Sequence, residues 1–159
     1  NGTNYLSICE EYNPGTNTWT AKATMPTGRN FLAAAAPGNA KLYAVGGYNG
    51  SYPPACEEYD SNTNTWVAKA TMPTARSRLA AAAPGNGRFY AVGGYGGGTG
   101  SLSVCEEYNP GANTWTTKAA MPTARYGLAA AAPGNGRFYA VGGFSTSYFS
   151  VCEEYDPGA

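Results

Sequence analysis

Eight of the ten acidic residues occur as four pairs, Glu10-Glu11, Glu57-Glu58, Glu106-Glu107 and Glu153-Glu154. Paired carboxylates carry out glycoside hydrolysis, where two carboxyl groups flank one bond at about 5 to 9.5 Å. Each pair here lies in an alternating stretch that reads as a strand. Neighbouring side chains on a strand point to opposite faces, so the two members of a pair cannot flank one bond. Structural pairing is the expectation: Arg29, Arg76 and Arg125 recur once per unit as the pairs do. A guanidinium fork can satisfy a carboxylate half-buried between packed sheets.

The other reactive groups narrow the chemistry further. There is no His, which removes Ser/His and Cys/His nucleophilic catalysis, His metal ligands and a His pH switch. Cys9, Cys56, Cys105 and Cys152 are 47, 49 and 47 residues apart. None belongs to a C-x-x-C pair, so a zinc site is not indicated. Equivalent cysteines in successive units lie beyond the ~7 Å Cα reach of a disulfide, and buried free thiols are expected. The glycine run Gly93-Gly94-Tyr95-Gly96-Gly97-Gly98 precedes no helix and lacks the Gly-Lys-Ser/Thr ending of a phosphate loop. Close backbone approach and a flexible exit loop explain it better. No cofactor is expected.

The fixed cysteine spacing signals a repeat of about 48 residues. In the third period, Ser103 to Tyr108 alternates as a strand and ends at Asn109-Pro110-Gly111, where Asn accepts a left-handed or Asx geometry. Asn113 to Thr116 returns as a second strand. Lys118 to Arg125 contains Met121-Pro122 and reads as a connector, since Pro lacks a backbone donor. Leu128 to Ala132 follows, and the Asn135-Gly136 pair suits a type I′ hairpin before Arg137 to Gly143. Alanine is a strong helix former, but a five-residue run bounded by Pro-Gly is too short to stand alone as a helix. Leu32–Ala36, Leu79–Ala83 and Leu128–Ala132 are therefore read as inner strands, where crowding favours small side chains.

Four strands per unit, with a Gly-Gly pair, a later Tyr and a later Trp, resemble the kelch family of β-propellers. The residues that carry the resemblance are Gly46-Gly47, Gly93-Gly94 and Gly142-Gly143; Tyr12, Tyr59, Tyr108 and Tyr155; Trp19, Trp66 and Trp115; and the Met-Pro-Thr-x-Arg phrases ending at Arg29, Arg76 and Arg125. The tyrosines and tryptophans are expected in the core with their polar ends hydrogen-bonded. Segments 79–94 and 128–143 are identical, as recent duplication or consensus construction would leave them. Specific sites are then expected where the units differ.

The fold expected is all-β, a single array over 1–159 of kelch-type blades of four antiparallel strands. Its periods run approximately over 9–55, 56–104 and 105–151, with a partial strand at 152–159. Gly 22 and Pro 11 make up about a fifth of the 159 residues, and only 13% are charged, against about 25% usually. Both features suit many turns and short strands. Three blades do not close a ring, because propellers carry four to eight. Two chains give a six-bladed ring with twofold symmetry, so a second copy is the expected partner. Both ends carry the Cys-Glu-Glu-Tyr strand, which leaves one copy surplus at each junction.

Lys+Arg 10 against Asp+Glu 10 gives net zero, without the basic footprint of a nucleic-acid or anionic-membrane binder. The longest apolar stretch, Phe31 to Pro37, is far short of the ~18 residues of a transmembrane helix. The chain begins at Asn1 with no Met and no signal-like segment, as a processed or excised piece would, and no compartment is read from it. Asn1-Gly2-Thr3 and Asn49-Gly50-Ser51 match the glycosylation acceptor pattern.

Two irregular loop sets remain. After the Gly-Gly pairs come Tyr48-Asn49-Gly50-Ser51-Tyr52, Tyr95 with its glycine run, and Phe144-Ser145-Thr146-Ser147-Tyr148; after the recurrent Arg come Asn30-Phe31, Ser77-Arg78 and Tyr126-Gly127. The kelch resemblance implies that these loops crowd one mouth of the central channel and that Arg78 can point into it. Aromatics beside Ser, Asn and one Arg make a recognition rim. The leading expectation is a non-enzymatic binding or scaffold module for a peptide or protein segment, or a self-assembling propeller fragment. The alternative is carbohydrate binding, since aromatic faces beside small polar groups suit sugar rings. Kelch-like propellers also include copper oxidases and sugar epimerases, but the first needs His and the second an acid/base pair that is not found.

Overall fold

In the computed structural model, which describes residues 4–38 and 40–158, every regular element is a strand. β1 (Glu10–Asn13) and β2 (Thr18–Ala21) form a hairpin. β3 (Ala33–Gly38), β4 (Lys41–Val45), β5 (Cys56–Asp60) and β6 (Thr65–Ala68) form a four-stranded antiparallel sheet in chain order. β7 (Ala80–Ala82) and β8 (Phe89–Val92) begin a second one; the next loop carries a small ladder, β9 (Tyr95–Gly96) with β10 (Gly100–Ser101). β11 (Cys105–Asn109) and β12 (Thr114–Lys118) complete that sheet, and β13 (Ala129–Ala131), β14 (Phe138–Val141) and β15 (Cys152–Tyr155) make a three-stranded one. The described residues thus hold two complete four-stranded sheets, with three strands at one end and a hairpin at the other.

The alanine runs are the first strand of each sheet. β3, β7 and β13 come close to one another, while the Trp strands lie at the opposite edge. Inner strands that converge need small side chains, and alanine supplies them. The core consequently lies between sheets. On β8 and β11, Phe89, Ala91 and Tyr108 pack towards the preceding sheet with Tyr43, Val45 and Cys56. Tyr90, Val92 and Cys105 face the following one and meet Phe138, Ala140 and Leu128. Period-two alternation decides which set faces which neighbour.

The Tyr and Trp set is not uniformly core. Tyr59 and Tyr108 are buried, but Trp19 is 68% exposed and Tyr12 43%, because among the described residues no sheet packs on that side of β1–β2. Tyr155, Trp66 and Trp115 are half-buried. The thiols follow the same logic: Cys56 and Cys105 are buried, Cys9 is intermediate and Cys152 exposed, all of them free. The turn after the alanine strands also departs from the type I′ expectation. Gly85, Gly87, Gly134 and Gly136 take positive φ, but Asn86 and Asn135 do not. Each Asn instead accepts the N–H of Arg88 or Arg137 in an Asx turn. At the Tyr-strand turns Asn109 accepts from Gly111, whereas the left-handed residue is Asn113.

Candidate functional site

The recurrent Arg and Glu residues form three structural pairs. Arg29 lies 2.6 Å from Glu57, Arg76 2.6 Å from Glu106 and Arg125 2.7 Å from Glu153. In each, the second guanidinium nitrogen donates to a carbonyl, that of Ala44, Ala91 or Ala140, and a Thr hydroxyl takes the other carboxylate oxygen. The arrangement is therefore one-pronged on the carboxylate, not a two-pronged fork. Burial lowers the Arg76 pKa against the pull of Glu106. The second Glu of each pair points the other way, where Tyr43, Tyr90 and Tyr139 donate to Glu58, Glu107 and Glu154. Opposite faces thus give the adjacent carboxylates separate structural partners.

The two irregular loop sets are brought together by backbone pairing. Antiparallel bridges join Asn30 to Tyr48, Ser77 to Tyr95 and Tyr126 to Phe144. The Gly-Gly pairs make room for this: a Cβ on Gly46 or Gly93, both at φ +62, would lie 2.6 or 2.7 Å from the Arg76 or Arg125 carbonyl oxygen. Only glycine tolerates both the left-handed backbone and that approach. Phe31 and Arg78 are also left-handed, at φ 54 and 53, and Gly127 occupies the third equivalent position at φ 62. The Arg78 N–H donates to the Phe31 carbonyl and the Gly127 N–H to that of Arg78, both at 2.8 Å. One hydrogen-bonded chain thus links these loops from unit to unit.

Above it lies a cavity of about 310 Å³ lined by Phe31, Tyr48, Tyr52, Ser77, Arg78, Tyr95 and Tyr126. The Arg78 guanidinium sits 4.4 Å from the Phe31 ring centre and 5.6 Å from that of Tyr126, in cation–π range. The other nine Lys and Arg residues each lie within 4 Å of a carboxylate, but among the described residues Arg78 has no such partner. No carboxylate lines the cavity. The aromatics continue sideways as an arc: Tyr5–Tyr48, Tyr48–Tyr52, Tyr52–Tyr95, Tyr95–Tyr126, Tyr126–Phe144 and Phe144–Tyr148, with ring centres 5.1 to 6.3 Å apart.

Asn30, Asn49 and Phe144 belong to the same loops but do not line the cavity. Asn49 turns inward on its own loop and accepts from the Ser51 hydroxyl. Its glycosylation pattern lies in that loop, whereas Asn1-Gly2-Thr3 lies outside the described residues. Tyr52, which closes the irregular loop that begins at Tyr48, lines the cavity as well, although it is not among the rim residues expected from the sequence. Its signal was its place in an irregular segment rather than a repeated one. The exit loop after Gly94 is also more ordered in form than a bare glycine linker, since β9 and β10 pair within it.

Among the described residues no group of three or more His, Cys, Asp or Glu converges as a metal site, and no helix is long and apolar enough to cross a membrane. The model of the Kelch motif matches residues 29–73 and 76–122, together more than half of the chain. No curated protein matches the sequence.

Proposed function

The chain belongs to the kelch-repeat family, and from that premise we propose that it is a non-enzymatic binding module that takes a peptide or protein segment at the mouth. Arg78 carries the reading. Among the described residues it is the one Lys or Arg left without a carboxylate, it is held over aromatic faces, and it opens into a cavity that offers no counter-charge. A segment with an Asp, Glu or C-terminal carboxylate beside an aromatic or apolar side chain complements it: the carboxylate meets the guanidinium and the side chain packs on the tyrosines. The cavity lacks the acid/base pair that a sugar-modifying site would need.

The assembly that presents this mouth is a six-bladed ring of two copies. The exposed apolar residues at the hairpin end, Leu6, Ile8, Tyr12 and Trp19, and Val141 at the other end support it. Such surfaces on an isolated chain mark interaction faces. A second reading, carbohydrate binding, is favoured by the length of the aromatic arc, which suits stacking of successive sugar rings.

Selection from a displayed random-peptide library, followed by fluorescence polarisation, tests the first reading. Carboxylate-containing sequences should be enriched, and Arg78→Ala should weaken them about tenfold, or roughly 1.4 kcal/mol. Selected peptides indifferent to Arg78→Ala would overturn it, and binding competed by free sugar would favour the second.

A further inference from the structure

At both internal junctions, one set of contacts fastens a Trp strand to the sheet before it. The Trp66 indole N–H donates to the Ala23 carbonyl and the Ala23 N–H donates to Asn64. Trp115, Asn113 and Ala70 repeat this, with distances of 2.8 to 2.9 Å. The next position in the series is Ala119, which is exposed and which has no such Asn or Trp partner among the described residues. Ala119 lines a notch of about 40 Å³ with Met121, Phe138 and Tyr155, alongside Glu153 and Glu154 of β15. Its counterpart one unit earlier is filled, since Trp115 packs 5.5 Å from Phe89 and 5.0 Å from Tyr108.

The hairpin β1–β2 carries the missing half of these contacts. Tyr12 packs against Trp19 with ring centres 5.2 Å apart and donates to Asn17 at 2.7 Å. Tyr59, Trp66 and Asn64 have the same arrangement. Asn17 is left-handed at φ 54°, as are Asn64 at 55° and Asn113 at 54°. Glu10 makes no ion pair among the described residues, although its counterparts hold Arg29, Arg76 and Arg125.

We propose that a second copy of this chain docks by inserting its β1–β2 hairpin beside β14, displacing β15. The inference rests on the two-copy ring and names the strand that closes it. The Cys-Glu-Glu-Tyr phrase recurs at 9–12 and 152–155, so β1 and β15 can both pair with β14, but among the described residues it is β1 that brings a Trp strand. The segment leading into β1 is also fastened to its own connector, with Lys22, Met25 and Arg29 N–H groups donating to Cys9, Ser7 and Leu6 carbonyls. Among the described residues β15 has no strand on its outer side. After exchange, the second copy's Glu10 meets Arg125 and its Trp19 fills the notch at Ala119. The sheet then has four strands, and the surplus strand is the released β15.

Cross-strand thiols distinguish the outcomes. Cys152 faces Val141 across the ladder, as Cys56 faces Val45 and Cys105 faces Val92; exchange puts the second copy's Cys9 there. Directly opposed residues of this kind lie within disulfide reach. The chain carrying Val141→Cys and Cys152→Ser, oxidised with glutathione disulfide, should run on a non-reducing gel at about twice 16.5 kDa. Val141→Cys with Cys9→Ser should give little internal crosslink. If the second variant closes an internal disulfide and the first gives no covalent pair, while the wild-type chain still has the mass of two copies, β15 keeps its place and exchange is refuted. A monomeric wild-type mass refutes the ring, and exchange with it. Circular dichroism checks that each variant retains its strands.

Discussion

Arg76 Nη1 lies 2.6 Å from Glu106 Oε2, with both side chains almost fully removed from solvent. Attraction at that depth must offset the desolvation of two ions, and removing one partner leaves the other stranded. Arg76→Met is therefore expected to cost about 3–5 kcal/mol in urea unfolding, whereas Arg76→Met with Glu106→Leu should recover most of that loss. A single variant as stable as the parent would show that the pair is not holding the sheets together.

Gly93 and Gly142 share a left-handed backbone, at φ 62 and 64, but not a neighbour. A Cβ at Gly93 would meet the Arg125 carbonyl oxygen at 2.7 Å, while at Gly142 the nearest atom is the Phe149 oxygen at 3.7 Å. Gly142→Ala should cost only the left-handed backbone penalty, about 1–2 kcal/mol. Gly93→Ala should cost clearly more in thermal or urea unfolding. Equal losses would mean that the close approach between sheets has no energetic weight.

The four thiols should separate by environment. Burial raises Cys56 and Cys105 from 9.0 to about 12, against the pull of Arg29 and Arg76; Cys152 is exposed. Thiolate is the reactive form, so a disulfide reagent at about pH 8 should label Cys152 quickly and leave Cys56 and Cys105 untouched until denaturant is added. Fast labelling of all four would contradict the sheet-to-sheet packing.

Stability should fall at both pH extremes for opposite reasons. Burial pushes the Glu107 carboxyl up, but hydrogen bonds from Tyr90 and Arg88 outweigh it and hold it below 4.5; Glu58 behaves likewise with Tyr43 and Lys69. Depressed carboxyls contribute above their unfolded value, and that contribution is lost as pH falls through the folded one. The thiols of Cys56 and Cys105, raised from 9.0, contribute below that pH and lose their contribution as it climbs towards 12. Tyr43, Tyr90 and Tyr108, raised from 10.0 chiefly by burial, add to the alkaline loss. Urea midpoints should form a plateau between about pH 5 and 9, and Glu107→Gln should shallow the acid side. An unchanged acid limb in that variant would disprove the assignment.

The strand order within a unit was readable because turn residues and alternation recur three times, and a repeated cue is harder to mistake than a single one. The inner place of the alanine strands and the separate roles of the two Glu residues followed from crowding and pleat. The conformations of Asn86 and Asn135 did not, because Asn-Gly suits more than one turn and the neighbouring glycines relieve the Asn of a left-handed backbone. Exposure of Trp19 was hidden for another reason: its local phrase matches that of the buried units, and only its place in the array differs. Tyr52 was legible as part of an irregular loop but not as a lining residue, because no periodic cue says which residues of such a loop face the cavity.

Segments 79–94 and 128–143 are the same peptide in two surroundings. Ala80 and Ala82 are buried while Ala129 and Ala131 are exposed, and Tyr90 is sealed where Tyr139 is not. The chain therefore carries its own matched control. Amide exchange compared between the two copies measures what a neighbouring sheet contributes, with composition and local propensity cancelled and no substitution made. If a second chain covers the outer copy, the two sets of resonances should draw together, so spectral degeneracy becomes a gauge of ring closure.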